Sequence, residues 1–342
     1  MKKSYLLLFL FTLIFCVCGQ KKSPTGASDE PNELPVVNKI AFNCLPATLD
    51  ENYALAVIDP DSSNITKIGY NMQSMRTGFS WSPDASLLVF LNEASISTDE
   101  NNNMLGYEIC VANSDGTETN NLNEFGIAAR ISPDNKLIAY IQLNANGEIN
   151  HYNLKIMNVD GTNPRTIQEN VSGVSKWSDD SESIVYIIQT GNLDEWEFYT
   201  INIDSGVSVP TADPYPTYTI SLDQFQRDTL EINDTEMTFS STQISPDYTK
   251  GIAVFAFRSS FPFSKIEGYM TLYDFVEKEE TVLVEKMASL SYFSWSPDSK
   301  KIVFTHSTGI DIMDVENKVR RRLITFAVSN ISNYIFLVWS PR

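Results

Sequence analysis

From residue 38 onward the apolar residues fall in short runs, separated by clusters of Ser, Asn, Asp, Gly and Pro, and the runs repeat in a fixed order. One phrase marks the repeat: Trp81-Ser82-Pro83-Asp84, Ile131-Ser132-Pro133-Asp134, Trp177-Ser178-Asp179-Asp180, Ile244-Ser245-Pro246-Asp247, Trp295-Ser296-Pro297-Asp298 and Trp339-Ser340-Pro341-Arg342. After each of the first five comes a β-branched or aromatic run: Leu87–Leu91, Leu137–Ile141, Ile184–Ile188, Ile252–Ala256 and Ile302–Thr305. A third run ends in a turn signal, as at Tyr107–Ala112 and Leu154–Met157, and a fourth closes the unit, as at Thr281–Val284 and Arg321–Ile324. Runs this short, bounded by turn residues, predict strands. Each unit is therefore a four-stranded antiparallel meander. Pro presets φ and Asp or Ser bonds nearby amides in the Ser-Pro-Asp turn, and Asp115-Gly116 and Asp160-Gly161 mark a second hairpin.

A single meander leaves apolar faces wet, so the units must stack, and radial stacking makes a β-propeller. The phrases start 50, 46, 67, 51 and 44 residues apart, close to one blade each apart from the outlier. The final phrase is a first strand with no partners after it. The stretch from Lys39 supplies three strands with no phrase before them: Lys39–Asn43, Tyr53–Asp59 and Ile65–Gly69. The expected fold is all-β, a six-bladed β-propeller whose last blade is closed by both termini, spanning residues 38–342.

Ahead of that body, Met1-Lys2-Lys3 and the apolar run Leu6–Val17 read as a signal peptide over residues 1–17, too short to span a membrane. Residues 18–37 read as a flexible tether. The run ends in Phe15-Cys16-Val17-Cys18-Gly19, which resembles a bacterial lipoprotein signal with Cys18 as the lipidated residue and Cys16 as the alternative. A signal peptide cut elsewhere, releasing a secreted protein, is the other reading. Cys44 and Cys110 either pair or remain free buried thiols.

The repeat phrase followed by an Ile-Ala-Phe-like strand resembles the propeller repeat of the TolB-type envelope proteins, a repeat shared with prolyl-oligopeptidase propellers. The resemblance implies the fold and a cell-envelope address, lipid-anchored and on the outer-membrane or periplasmic side where two membranes exist. Gly19 after Cys18 fits that address. It departs in two places. The family usually has Gly after the phrase Asp, whereas Ala85, Asn135, Ser181, Tyr248 and Ser299 stand here, which points to a different turn. TolB also carries an α/β domain before its propeller, where only the tether precedes Lys39 here.

Charge and motifs narrow the function. With 25 Lys+Arg against 43 Asp+Glu the net charge is −18, which argues against nucleic acid as a partner. No Gly-x-Ser-x-Gly elbow or phosphate-cradling glycine loop occurs. His151 and His306, the two histidines, are expected in exposed loops, and Asp59-Pro60-Asp61 and Asp99–Asn103 at hairpin tips. No catalytic residue, metal site or cofactor is assigned. The expected role is non-enzymatic: a protein-binding or scaffold module, with a glycan- or peptide-binding module as the alternative and a propeller hydrolase or lyase behind it. The long spacing has its excess at Pro210–Phe239, where Tyr215, Tyr218 and Phe225 sit among prolines and acids; Phe261 and Phe263 lie in a neighbouring loop. These five aromatics are the candidate partner surface.

Overall fold

The computed structural model describes residues 38–44, 53–72, 78–100, 102, 104–143, 152–190, 196–212, 236–258, 266–288, 290, 292–326 and 337–341. Among these residues 24 strands form six four-stranded antiparallel sheets, with no helix. Blade 1 contains β4 (Phe79–Trp81), β5 (Leu87–Thr98), β6 (Met104–Asn113) and β7 (Thr119–Gly126). Blade 2 contains β8 (Ala128–Ile131), β9 (Leu137–Leu143), β10 (Tyr152–Asn158) and β11 (Arg165–Val171). Blade 3 contains β12 (Gly173–Trp177), β13 (Ser183–Gln189), β14 (Trp196–Asn202) and β15 (Ser208–Thr211). Blade 4 contains β16 (Glu236–Ile244), β17 (Lys250–Arg258), β18 (Ile266–Asp274) and β19 (Glu279–Ala288). Blade 5 contains β20 (Phe293–Trp295), β21 (Lys301–His306), β22 (Gly309–Asp314) and β23 (Arg320–Thr325). Blade 6 joins both ends of the chain: β24 (Leu337–Trp339) pairs with β1 (Ile40–Cys44), followed by β2 (Tyr53–Ile58) and β3 (Thr66–Met72). Its register sets Ile40 opposite Trp339 and Phe42 opposite Leu337.

The chain divides into two compact units. Blades 4 and 5 lie in the unit within Tyr218–Asn333; blades 6, 1, 2 and 3 lie in the unit within Gln20–Thr217 and Tyr334–Arg342. Within each unit the cores sit between consecutive sheets, because strand alternation sends successive side chains to opposite faces. Leu88 and Phe90 pack with Ala41, Leu55 and Val57 of blade 6, while Val89 and Leu91 pack with Ile138 and Tyr140 of blade 2. In the other unit Phe293, Trp295, Ile302 and Phe304 of blade 5 pack on Ile252, Val254 and Met270 of blade 4.

The repeated phrase does the same work five times. The Ser hydroxyl donates to the Asp carboxylate at 2.5–2.7 Å in Ser82–Asp84, Ser132–Asp134, Ser178–Asp180, Ser245–Asp247 and Ser296–Asp298. The same hydroxyl accepts the backbone N–H five residues on, from Leu87, Leu137, Ser183, Lys250 and Lys301. Burial pushes the carboxyls of Asp84, Asp134, Asp247 and Asp298 up, but the Ser and backbone hydrogen bonds outweigh it and hold them below the usual range. At Asp180 the Ser178 bond leads and the direction is the same.

The missing glycine does not change the turn. Ala85, Asn135, Ser181, Tyr248 and Ser299 all take the left-handed conformation, with φ of 58–65°. The strain is accepted rather than avoided. Ser181 and Ser299 use that pose: their hydroxyls accept the backbone N–H of Asp134 and of Asp247, the phrase Asp of the preceding blade.

The phrase tryptophans also reach backward. The Trp81, Trp177 and Trp295 indoles donate to the Val338, Arg130 and Gln243 carbonyls at 3.3–3.4 Å, each on the first strand of the preceding blade. The Trp339 indole instead donates to Asn38 Oδ1 of its own blade at 2.7 Å. Ile131 and Ile244 carry no such donor.

Cys110 does not pair with Cys44. The Cys110 thiol is free and buried, donates to Asn121 Oδ1 at 3.3 Å, and is pushed up to about 12 by burial and by Glu108. That makes it an inert core thiol rather than half of a disulfide.

Candidate functional site

The antiparallel order gives every blade two edges. One carries the connections between first and second and between third and fourth strands. The first kind is uniform: five residues each at 82–86, 132–136, 178–182, 245–249 and 296–300. The second varies little: 59–65, 114–118, 159–164, 203–207, 275–278 and 315–319. The opposite edge is irregular. A single residue, 127 or 172, links blades 1 to 2 and 2 to 3, whereas residues 212–235 separate β15 from β16. Its hairpins range from the two residues 307–308 to the eight of 45–52 and 144–151. Loops that vary over a constant frame are where binding residues collect.

The candidate aromatics Tyr215, Tyr218, Phe225, Phe261 and Phe263 lie outside the described residues, as do Cys18 and His151.

His306 differs from its expected setting. It is the last residue of β21, only 3% exposed, and bonded rather than free in a loop. Strand register builds its surroundings. Asp311 lies opposite Phe304 on one side and Arg322 on the other, and Arg320 lies opposite Met313. With a period of two, His306, Asp311, Arg320 and Arg322 share one face of blade 5. His306 Nε2 lies 3.2 Å from Asp311 Oδ2, whose residue is 1% exposed. Both arginines pair with that carboxylate through Nε, Arg320 on Oδ2 and Arg322 on Oδ1. The Thr308 N–H donates to His306 Nδ1 at 3.3 Å, which leaves the ring proton on Nε2, toward Asp311.

The neighbours hold the pose. Arg320 lies over the Phe304 ring, 5.5 Å from its centroid. Arg322 donates to the Thr308 carbonyl at 2.9 Å and to Thr308 Oγ1 at 3.2 Å. Gly309 lets β23 approach: a Cβ there would stand 2.0 Å from the Ile324 carbonyl and 2.9 Å from Arg322 Nη1. Burial pushes the Asp311 carboxyl up, but the His306 hydrogen bond, then Arg320, hold it below the usual range. Among the described residues no group of three or more His, Cys, Asp or Glu is placed to hold a metal ion. Sequence reasoning passed over this cluster, although the Arg-x-Arg spacing on a strand was a signal that two guanidiniums share a face.

Neither the protein-family models nor the curated proteins match the chain. Solved structures do. TolB from Acinetobacter baumannii is 16% identical with a TM-score of 0.47, over 89% of this chain and 67% of that one. An oligogalacturonate lyase in complex with manganese is 12% identical with a TM-score of 0.41, over 85% and 75%. The β-propeller domain of the Trilobed protease from Pyrococcus furiosus is 14% identical with a TM-score of 0.35, over 72% and 71%. These likenesses are of fold alone. With its repeat phrase and four-stranded antiparallel sheets, the chain is similar in fold to these β-propellers.

Proposed function

We propose that this chain is a lipid-anchored cell-envelope propeller acting as a non-enzymatic protein-binding or scaffold module. In this reading residues 1–17 are a signal peptide, Cys18 carries the lipid, residues 18–37 are the tether, and residues 38–342 close into one ring of six blades. The address is the outer-membrane or periplasmic side where the cell has two membranes. The observation that carries the reading is the contrast between blade edges: five-residue turns repeat on one, while connections of one to twenty-four residues occupy the other. Binding on a rigid frame needs that division. In this reading Tyr215, Tyr218, Phe225, Phe261 and Phe263 form the partner surface, since aromatics supply large apolar area at low entropic cost. The bonding of both His306 ring nitrogens, to Thr308 and Asp311, supports a structural histidine over a free base.

The test is replacement of residues 213–228 by a short Gly-Ser turn, followed by affinity capture from envelopes and mass spectrometry. The folded variant is expected to lose the partner that the parent captures. Undiminished capture places the partner surface elsewhere. Cys18→Ser is expected to move the protein from the membrane fraction to a soluble or unprocessed form.

A further inference from the structure

We propose that blade 5 carries an anion site, in which Arg320 and Arg322, gathered on Asp311 beside the 307–308 hairpin, take a carboxylate- or phosphate-bearing ligand. It does not depend on the aromatic insert or on lipid attachment.

The first support is charge balance. Two guanidiniums converge on one buried carboxylate, so the cluster keeps at least one uncompensated positive charge. A structural ion pair needs one cation per carboxylate. Bringing a second cation partly out of water is unfavourable unless another anion completes it. The chain around it is strongly acidic at −18, yet β23 begins Arg320-Arg321-Arg322, where the corresponding strand of blade 4 begins Glu279-Glu280.

The second support is donor geometry. Each arginine reaches Asp311 through Nε, which leaves the N–H groups of its terminal nitrogens for other acceptors. Arg322 spends one N–H of each terminal nitrogen on Thr308. Arg320 Nη1 meets no protein acceptor among the described residues, and Nη2 approaches only the His306 ring, at 3.5 Å. Guanidiniums in this state suit forked recognition of a carboxylate or phosphoryl group.

Exposure and preorganisation complete the case. The Arg320 and Arg322 side chains remain 34% and 37% exposed while Phe304 and Asp311 beneath them are buried. Phe304, Thr308 and Asp311 fix the guanidiniums in advance, which removes much of the ordering cost of binding. Discouraging edge-to-edge pairing would explain exposed charge on an outer strand, but not a buried Asp–His support beneath it.

The experiment titrates the full chain with inorganic phosphate and, separately, malonate, against chloride at equal ionic strength, read by calorimetry. Saturable binding of at least one is expected; phosphate alone identifies a phosphoryl ligand, malonate alone a carboxylate. Arg320→Gln is expected to weaken binding about tenfold or more, with Arg320→Lys recovering part of it. No saturable binding beyond the chloride control overturns the proposal, as does Arg320→Gln binding like the parent. So does an equal loss in Arg321→Gln, since Arg321 alternates away from the cluster.

Discussion

The two edges of each blade obey different rules. On the uniform edge Ser82, Ser132, Ser178, Ser245 and Ser296 each bridge a phrase Asp and the amide of a second strand, so any insertion breaks hydrogen bonds that recur in five blades. On the irregular edge the connection between blades is one residue at 172 and twenty-four at 212–235, and the sheets on either side are the same four-stranded meander. The difference teaches that this fold concentrates its local specification at one edge, which leaves the other free to diverge.

The largest expected effect lies in the first strand of blade 6, which the end of the chain supplies. Trp339→Ala removes a buried ring and its bond to Asn38, and a loss of about 3–5 kcal/mol is expected in denaturant unfolding. On the uniform edge, Ser296→Ala strips a buried hydroxyl that bonds both Asp298 and the Lys301 amide; about 1–3 kcal/mol is expected by the same measurement. The phrase carboxyls should show as a group in acid. Their folded pKa values lie below the unfolded ones, so their stabilisation is complete above the unfolded value and disappears as pH falls through the folded one. Melting temperature is therefore expected to fall below about pH 4, and a flat profile there would remove the carboxyls from the account.

Smaller effects separate strain from bonding at the left-handed position. Tyr248→Gly relieves the strained φ of a half-exposed residue and is expected to stabilise by about 1 kcal/mol. Ser299→Gly relieves the same strain but loses the bond to the Asp247 amide, so its net change should be near zero or unfavourable. Equal gains from both would mean that the Ser299 bond contributes nothing.

What the sequence revealed follows the same division. The Ser-Pro-Asp phrase encodes a local turn within five residues, so strand order, blade length and the joining of Trp339 to Ile40 were legible from spacing. The left-handed residue was misread because Gly was treated as its marker, whereas the Ser–Asp hydrogen bonds enforce the turn with Ala, Asn, Ser or Tyr in place. The buried His306 cluster was missed for another reason. Phe304, Asp311 and Arg322 meet through the registers of two successive hairpins, and a histidine beside a two-residue turn reads as exposed until the pairing is known. The Cys110 thiol, one strand from its bonded Asn121, was open to either reading for the same lack of register.

The most direct measurement is a paired thermal melt of two variants, one replacing residues 296–300 and the other residues 213–228 with Gly-Ser sequence. The account predicts a drop of about 4 °C or more for the five-residue turn, from the loss of the Ser296 and Asp298 hydrogen bonds, and a change within about 2 °C for the much longer insert. Comparable drops in both would make the insert part of the frame and contradict the division between a constant edge and a free one.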